Sequence, residues 1–207
     1  MPDAPGLTPL AVMILALLRE GDMHPYEMMR LFRLRRDDRL VRLQKGTLYH
    51  TVGRLVRDGL LAEVGVDRDG NRPERTTYAL TEAGGRTVDT WVRAELPRID
   101  RASEFRVALA EAHNLDRAEV RALLDERRRL LAASRDDLRS GLAEASRRAV
   151  SPQFLVEVER ELALVTAELA WQDALTARLA DPAYPWGVAD LPAEHAKTPS
   201  PREKTPA

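Results

Sequence analysis

The chain has 207 residues, of which 44% are hydrophobic and 31% charged, with a formal net charge of −1 at pH 7. It has no cysteine, which excludes disulfides and thiol chemistry, and its four histidines lack ligand-like spacing, so neither a metal site nor a cofactor is expected. No apolar run approaches the roughly 20 residues that span a bilayer, and no basic segment followed by an apolar one marks a secretion signal, so a cytoplasmic protein is expected.

Two helices are predicted first. Apolar residues recur with a helical period over residues 8–19, and Gly21 ends this segment. A second helix is predicted from Pro25, because proline suits the first helical position, and Met28, Leu31 and Phe32 give it an apolar stripe.

A third helix is predicted over about residues 45–58, and it has two different faces. Its inward face consists of Leu48, Val52, Leu55 and Val56. Its opposite face carries hydrogen-bonding and cationic side chains, namely Thr47, His50, Arg54 and Arg57. Residues 30–57 together hold nine basic residues against two acidic ones, which indicates either a solvated charged face or a surface for anions.

A β-hairpin is predicted next. Two short β-type runs, residues 60–66 and 75–80, flank an Asp-Gly-Asn cluster that is typical of a turn. Arg68, Arg72 and Arg75 lie at or near its tip.

Helices follow to about residue 179. One is predicted from Thr81 to Glu95, a short one around residues 104–112, a long one behind a capping box of Asp116 and Glu119, and a last one capped by Ser151. The last helix carries a broad apolar stripe that one chain is not expected to cover. Together with the helix that starts at Thr81, it is predicted to form a homodimer interface; the stripe residues are Leu155, Val158, Leu162, Val165, Leu169 and Trp171. The proline-rich residues 182–207 are predicted to be a disordered tail.

Three helices followed by a hairpin are the order of a winged helix-turn-helix domain. The fold class is therefore expected to be mainly α, with this domain in residues 1–85 and a long-helix dimerisation domain in residues 86–181. A helix of about 10–12 Å diameter fits a major groove about 12 Å wide, and arginine matches the acceptor pair of guanine. The order of the elements therefore favours a duplex-DNA-binding protein.

Two runs resemble a known family, the PadR transcription regulators. They are "GTLY" at residues 46–49 and "RPERTTYALTEAG" at residues 72–84. The resemblance extends over about residues 7–85, and the helices downstream look like the virulence-activator-type C-terminal domain of longer members. It implies a homodimer that binds a palindromic operator, and usually repression that a small-molecule effector relieves.

The DNA contacts expected from the motif and the outward face are Lys45, Thr47, Tyr49, His50, Arg54, Arg57, Arg72 and Arg75. Two departures from the family stand out. Gln44 and Lys45 replace the usual capping residue before the third helix, and Gly53 stands where a polar or basic residue is common. Gly53 indicates either a locally loose helix or a close approach to that helix.

Several alternatives remain open. Tyr49 could be a packing residue, His50 merely solvated, and Arg54 and Arg57 paired with Asp58 or Glu63. Trp91 is a candidate for lining an effector cavity, although a core position is the commoner role of such a residue. No catalytic arrangement or phosphate loop is present in the sequence, so an enzyme is not expected; a helical scaffold or adaptor is the main alternative to a regulator.

Overall fold

A computed structural model describes residues 6–67 and 75–187. It is mainly helical with one two-stranded antiparallel sheet, which confirms the predicted fold class. The elements in chain order are α1 (Pro9–Leu17), α2 (Pro25–Leu34), a 3-10 turn (Asp37–Arg39), α3 (Lys45–Arg57), β1 (Leu61–Asp67), β2 (Arg75–Leu80), α4 (Glu82–Glu95), α5 (Ala102–Glu111), a 3-10 turn (Ala112–Asn114), α6 (Arg117–Arg147), a 3-10 turn (Pro152–Phe154) and α7 (Val156–Ala180).

Helix α1 lies at the centre of the molecule. The Thr8 hydroxyl caps it by accepting from the Ala11 amide at 3.3 Å, and every residue from Leu10 to Leu17 is buried. A helix that is apolar all round must be covered on all sides, and here α3, α4 and α5 supply the cover.

Helix α2 and the hairpin are anchored to each other. The Nδ1 atom of His24 accepts from the Glu27 amide and caps α2, directly before Pro25. Just before this cap, Met23 exchanges two backbone hydrogen bonds with Tyr78 of β2, at 3.0 and 3.1 Å. The hairpin is therefore held in place against the helices.

The two strands pair from Leu61 opposite Leu80 to Asp67 opposite Arg75, with a register shift between Glu63 and Gly65. The shift is a β-bulge, which bends the hairpin and increases its twist. This confirms the predicted three helices followed by a β-hairpin.

Helix α4 begins very close to the hairpin. The Thr81 hydroxyl caps α4 by accepting from the Gly84 amide, and it also donates towards the Gly59 and Leu60 carbonyl groups. A Cβ atom on Gly84 would collide with the Leu60 carbonyl oxygen and lie 2.7 Å from the Leu80 Cδ1 atom. Glycine is required here by packing.

The proposed boundary between residues 85 and 86 falls inside α4. This helix is continuous, and Val88, Trp91 and Val92 join α1 in one hydrophobic core. The same core includes Leu175 and Leu179 at the end of α7, so the N-terminal and C-terminal helices share it.

Helices α6 and α7 form an antiparallel hairpin. The Asp116 carboxylate caps α6 by accepting from the Ala118 and Glu119 amides, at the position predicted. The last helix starts at Val156 rather than at Ser151, which corrects the prediction. Bonds from the Phe154 amide to the Ser151 carbonyl, and from Leu155 to Pro152, make a tighter 3-10 turn in which the Ser151 hydroxyl caps nothing.

The predicted disordered tail begins too early. Tyr184 and Trp186 pack against the core, and the Trp186 Nε1 atom donates to the Leu115 carbonyl at 3.1 Å. The prediction weighed the prolines and overlooked these two aromatic residues; the rest of the predicted tail, 188–207, lies outside the described residues. Within the described ranges, no helix is both long and apolar enough to cross a membrane.

Candidate nucleic-acid interface

The inner face of α3 fixes this helix to the domain. Leu48 and Leu55 are fully buried, Val52 is 1% exposed, and Val56 is partly buried against the same core. Thr51 is also buried, with its hydroxyl donating to the Thr47 carbonyl at 2.7 Å. Because these side chains are locked, the position of the opposite face is defined.

The outer face of α3 is exposed and polar. Lys45, Thr47, Tyr49, His50 and Arg57 are exposed, and Arg54 is half-buried at the edge of this face. Tyr49 is 44% exposed, with the Lys45 ammonium 5.9 Å from its ring centroid. The side chains predicted for one outward face are therefore brought together, and their role in binding DNA stays a prediction.

Most cations around α3 form no ion pair with a described residue. Of the nine basic residues in the window 30–57, Arg35 alone forms an ion pair with a described residue, Glu20, at 2.5 Å. Neither Arg54 nor Arg57 pairs with Asp58 or Glu63 in the described part of the chain. The Nε atom of Arg54 is buried and has no described hydrogen-bond partner. These charges are therefore available to an external anion.

The N-terminus of α3 is open. Gln44 stands at the capping position and makes no side-chain capping bond, and the first turn contains no acidic residue. The free amides and the positive end of the helix dipole therefore add to the charge of Lys45. The departure from the usual cap leaves the helix end accessible.

A groove of about 480 Å³ runs beside α3. Thr47, His50 and Arg54 form its polar side, and Leu40 and Val41, from the segment before α3, contribute to its apolar side. Three of the predicted DNA contacts thus also line a partly apolar cleft.

For the two DNA contacts predicted on the hairpin, the structure describes less than it does for those on α3. Arg72 lies outside the described residues, and of Arg75 only the backbone is described, at the start of β2 opposite Asp67. Leu61 and Leu80 form the strand pair nearest α4, and Asp67 and Arg75 form the last described pair at the other end of the sheet.

Helix α2 adds a second exposed row, of one tyrosine and two arginines, that the sequence analysis did not select. Tyr26, Arg30 and Arg33 are exposed and follow the spacing i, i+4, i+7, while Met28, Leu31 and Phe32 face the core. Neither arginine forms an ion pair within the described ranges. This spacing could have been read from the sequence, but the sequence analysis considered only the total charge of residues 30–57.

The other candidate residues lie elsewhere. Trp91 is 2% exposed in the core shared by α1 and α4, and it does not line the groove beside α3. No group of three or more acidic or histidine side chains in the described residues could hold a metal ion.

The predicted interface stripe of α7 is divided. Val165 and Leu169 are buried against Leu131 of α6, so they need no second chain to cover them. Trp171 is 39% exposed. The remaining stripe residues, Leu155, Val158 and Leu162, are partly buried.

Residues 14–90 match the model of the Transcriptional regulator PadR-like family, which confirms the predicted resemblance for this part of the chain. The subfamily of the C-terminal helices stays a prediction. A search of curated proteins finds no match.

Solved structures also match. Bacillus subtilis PadR in complex with operator DNA is 20% identical, with 83% of this chain and 99% of that chain covered and a TM-score of 0.41. The same protein in complex with p-coumaric acid is 17% identical, covering 84% and 100%, with a TM-score of 0.37. Streptococcus mutans smu.1604c is 18% identical, covering 81% and 98%, with a TM-score of 0.38.

Proposed function

We propose that this protein is a sequence-specific DNA-binding regulator of transcription, which reads the major groove with α3. The observation that carries this proposal is the set of uncompensated cations on and around a helix whose inner face is locked. The match of residues 14–90 to the PadR-like family supports it.

The geometry suits the task physically. An arginine without an intramolecular partner gains a phosphate or a guanine edge and gives up only water, whereas a paired one must first break its ion pair. Arg54 and Arg57 would read bases, Lys45 and the α2 row would contact phosphates, and the hairpin arginines would reach the neighbouring backbone.

The regulator is proposed to act as a homodimer on a palindromic operator. A second, mainly apolar face of α7 points away from α6 and is exposed; besides Arg160 it consists of Val156, Ala163, Leu164, Ala167, Ala170, Trp171 and Ala174. Small residues allow close approach of a second helix, and Leu164 and Trp171 would flank it. The proposed interface keeps Trp171 and moves from Val165 and Leu169 to this face.

Replacing one alanine of this face by glutamate tests the dimer. Ala167→Glu should convert the protein to monomers in sedimentation, because a charge would be buried between two copies. Ala143→Glu, at an exposed position of α6, is the matched control and should leave the mass unchanged. An unaltered dimer in Ala167→Glu would place the interface elsewhere.

Repression and its relief by a small-molecule effector are proposed from the PadR resemblance. An effector that occupied the groove beside α3 would contact His50 and Arg54 directly, and would therefore compete with DNA.

Selection from a random duplex pool tests the main proposal. The full-length protein should enrich a sequence with two inverted half-sites, and the logarithm of its affinity should fall linearly with the logarithm of salt concentration. A pool that shows no enrichment would instead favour the helical scaffold or adaptor.

A further inference from the structure

Gly53 lies in the middle of the outward face of α3. Along that face Gly46, His50, Gly53 and Arg57 recur at i, i+4, i+7 and i+11, opposite the buried Leu48, Val52 and Leu55. We infer that Gly53 is a positioning residue, which allows the edge of a DNA groove to approach the main chain of α3. This inference rests on the proposed function.

The protein's own packing gives no reason for glycine here. A Cβ atom on Gly53 would meet only the Arg57 Nη1 atom, at 3.9 Å, which is an ordinary van der Waals contact with the end of a flexible side chain. The backbone gives no reason either, since Gly53 is not among the glycines with a positive φ.

Two other glycines show what an internal requirement looks like. Gly84 is required because a Cβ atom would collide with the Leu60 carbonyl oxygen, and Gly59 has a φ of +70° that favours glycine. Gly53 meets neither condition, although glycine in a helix interior is less stable than alanine. The helix therefore carries a destabilising residue that the folded chain does not need.

The surroundings of Gly53 indicate what approaches it. Tyr49, His50, Arg54 and Arg57 surround it with hydrogen-bonding and uncompensated cationic groups, which suit an anionic partner with polar edges. Glycine is the residue that permits close contact between a backbone and such a partner. A methyl group at this point would hold α3 away from the groove and withdraw the flanking arginines from bidentate geometry.

The test compares two alanine substitutions in the full-length protein. Gly141 of α6 is the matched control: it is also a glycine inside a helix, it is exposed where Gly53 is half-buried, and its Cβ atom would meet nothing within 4 Å. Gly53→Ala and Gly141→Ala should both raise Tm, by about 2–4 °C. Affinity is measured for the duplex selected by the wild type and for a scrambled duplex of equal length.

Gly53→Ala should weaken binding to the selected duplex by about tenfold or more, the cost of a lost base contact, with a smaller loss for the scrambled duplex. Gly141→Ala should bind both duplexes as the wild type does. Undiminished selectivity in Gly53→Ala, or a lowered Tm, would overturn the inference and leave the proposed function standing. If the wild type selects no duplex, the proposed function fails and the inference fails with it.

Discussion

The basic residues around α3 and those of the C-terminal helices differ in how often they form ion pairs. Between residues 30 and 57 they are almost all without a described counterion, whereas many in the C-terminal helices are ion-paired. The paired ones are Arg86, Arg93, Arg98, Arg101, Arg127, Arg128, Arg135, Arg147 and Arg148. The same residue type is therefore often ion-paired in one region and remains available for a ligand in the other.

The positions of the acidic residues explain why the two regions differ in ion pairing. Around α3 the two carboxylates of the window, Asp37 and Asp38, lie on a 3-10 turn, and burial raises the pKa of Asp37. In the C-terminal helices, acidic residues recur one turn away or across the helix hairpin, as Glu168 does for Arg127. Net charge per region thus predicts availability better than the number of arginines.

The largest expected effect is the loss of a buried arginine that is ion-paired in the C-terminal region. Arg127 is 3% exposed, pairs with Glu168 and stacks 3.5 Å from the centroid of the Phe105 ring. Arg127→Ala should lower the free energy of unfolding by about 2–4 kcal/mol, because the charged hydrogen bonds to Glu168 and the packing of the buried guanidinium on Phe105 are both lost. Chemical denaturation measures this change, and the folded fraction should bind DNA as the wild type does. An unchanged stability would show that Arg127 is no structural cation, and the contrast between the regions would be lost.

The second effect concerns a carboxyl group at the junction of the two regions. Glu111, near the end of α5, has its pKa raised to about 7, first by burial and then by Asp37, while Arg19 and the Asn114 hydrogen bond oppose the shift. Because the folded state holds this proton more tightly than the unfolded state, the group's stabilising contribution is complete below about pH 4.5 and is lost as the pH rises through 7.

Glu111→Gln should remove this dependence. Its gain in unfolding free energy over the wild type should grow between pH 5 and pH 8, by up to about 3 kcal/mol. Denaturation at the two pH values measures the gain, and Glu126→Gln on α6, an exposed position, serves as the control. A gain that does not change with pH would mean that Glu111 ionises as it does in the unfolded chain.

The third effect falls on binding rather than on stability. Arg54→Ala should weaken binding to the selected duplex by about 1–3 kcal/mol, since a bidentate base contact is lost. Stability should change little, because Arg54 has no ion-pair partner among the described residues. Titration with the folded variant measures the loss; unchanged affinity would remove Arg54 from the interface.

The sequence was sufficient to predict those features that depend on residues close together in the chain. The periodicity of α3 separates Leu48, Val52 and Leu55 from the polar face, and Asp116 marks the start of α6, because caps and helix faces depend on neighbours within a turn. The hairpin and its place after α3 were also readable in this way.

What the sequence could not give depends on packing between distant segments. The partner of Arg127 lies 41 residues away, and nothing near Arg127 in the chain distinguishes it from Arg54. The α7 stripe was assigned to a second chain because periodicity shows that Val165 and Leu169 are buried but not what buries them. Tyr184 was overlooked for the same reason, since its packing site is formed by other helices.

The smallest effect is expected for Arg128→Ala, which is a control for the comparison between the two regions. Arg128→Ala removes one positive charge, as Arg54→Ala does, from a side chain that is 48% exposed and pairs with Asp173 at 2.5 Å. Exposed pairs contribute little, because water and salt screen them and both side chains lose freedom. The free energy of unfolding should therefore stay within measurement error, and the affinity for the selected duplex and its salt dependence should both match the wild type. If Arg128→Ala weakened binding as much as Arg54→Ala, net charge alone would govern the interaction, and the availability of the cations around α3 would not explain it.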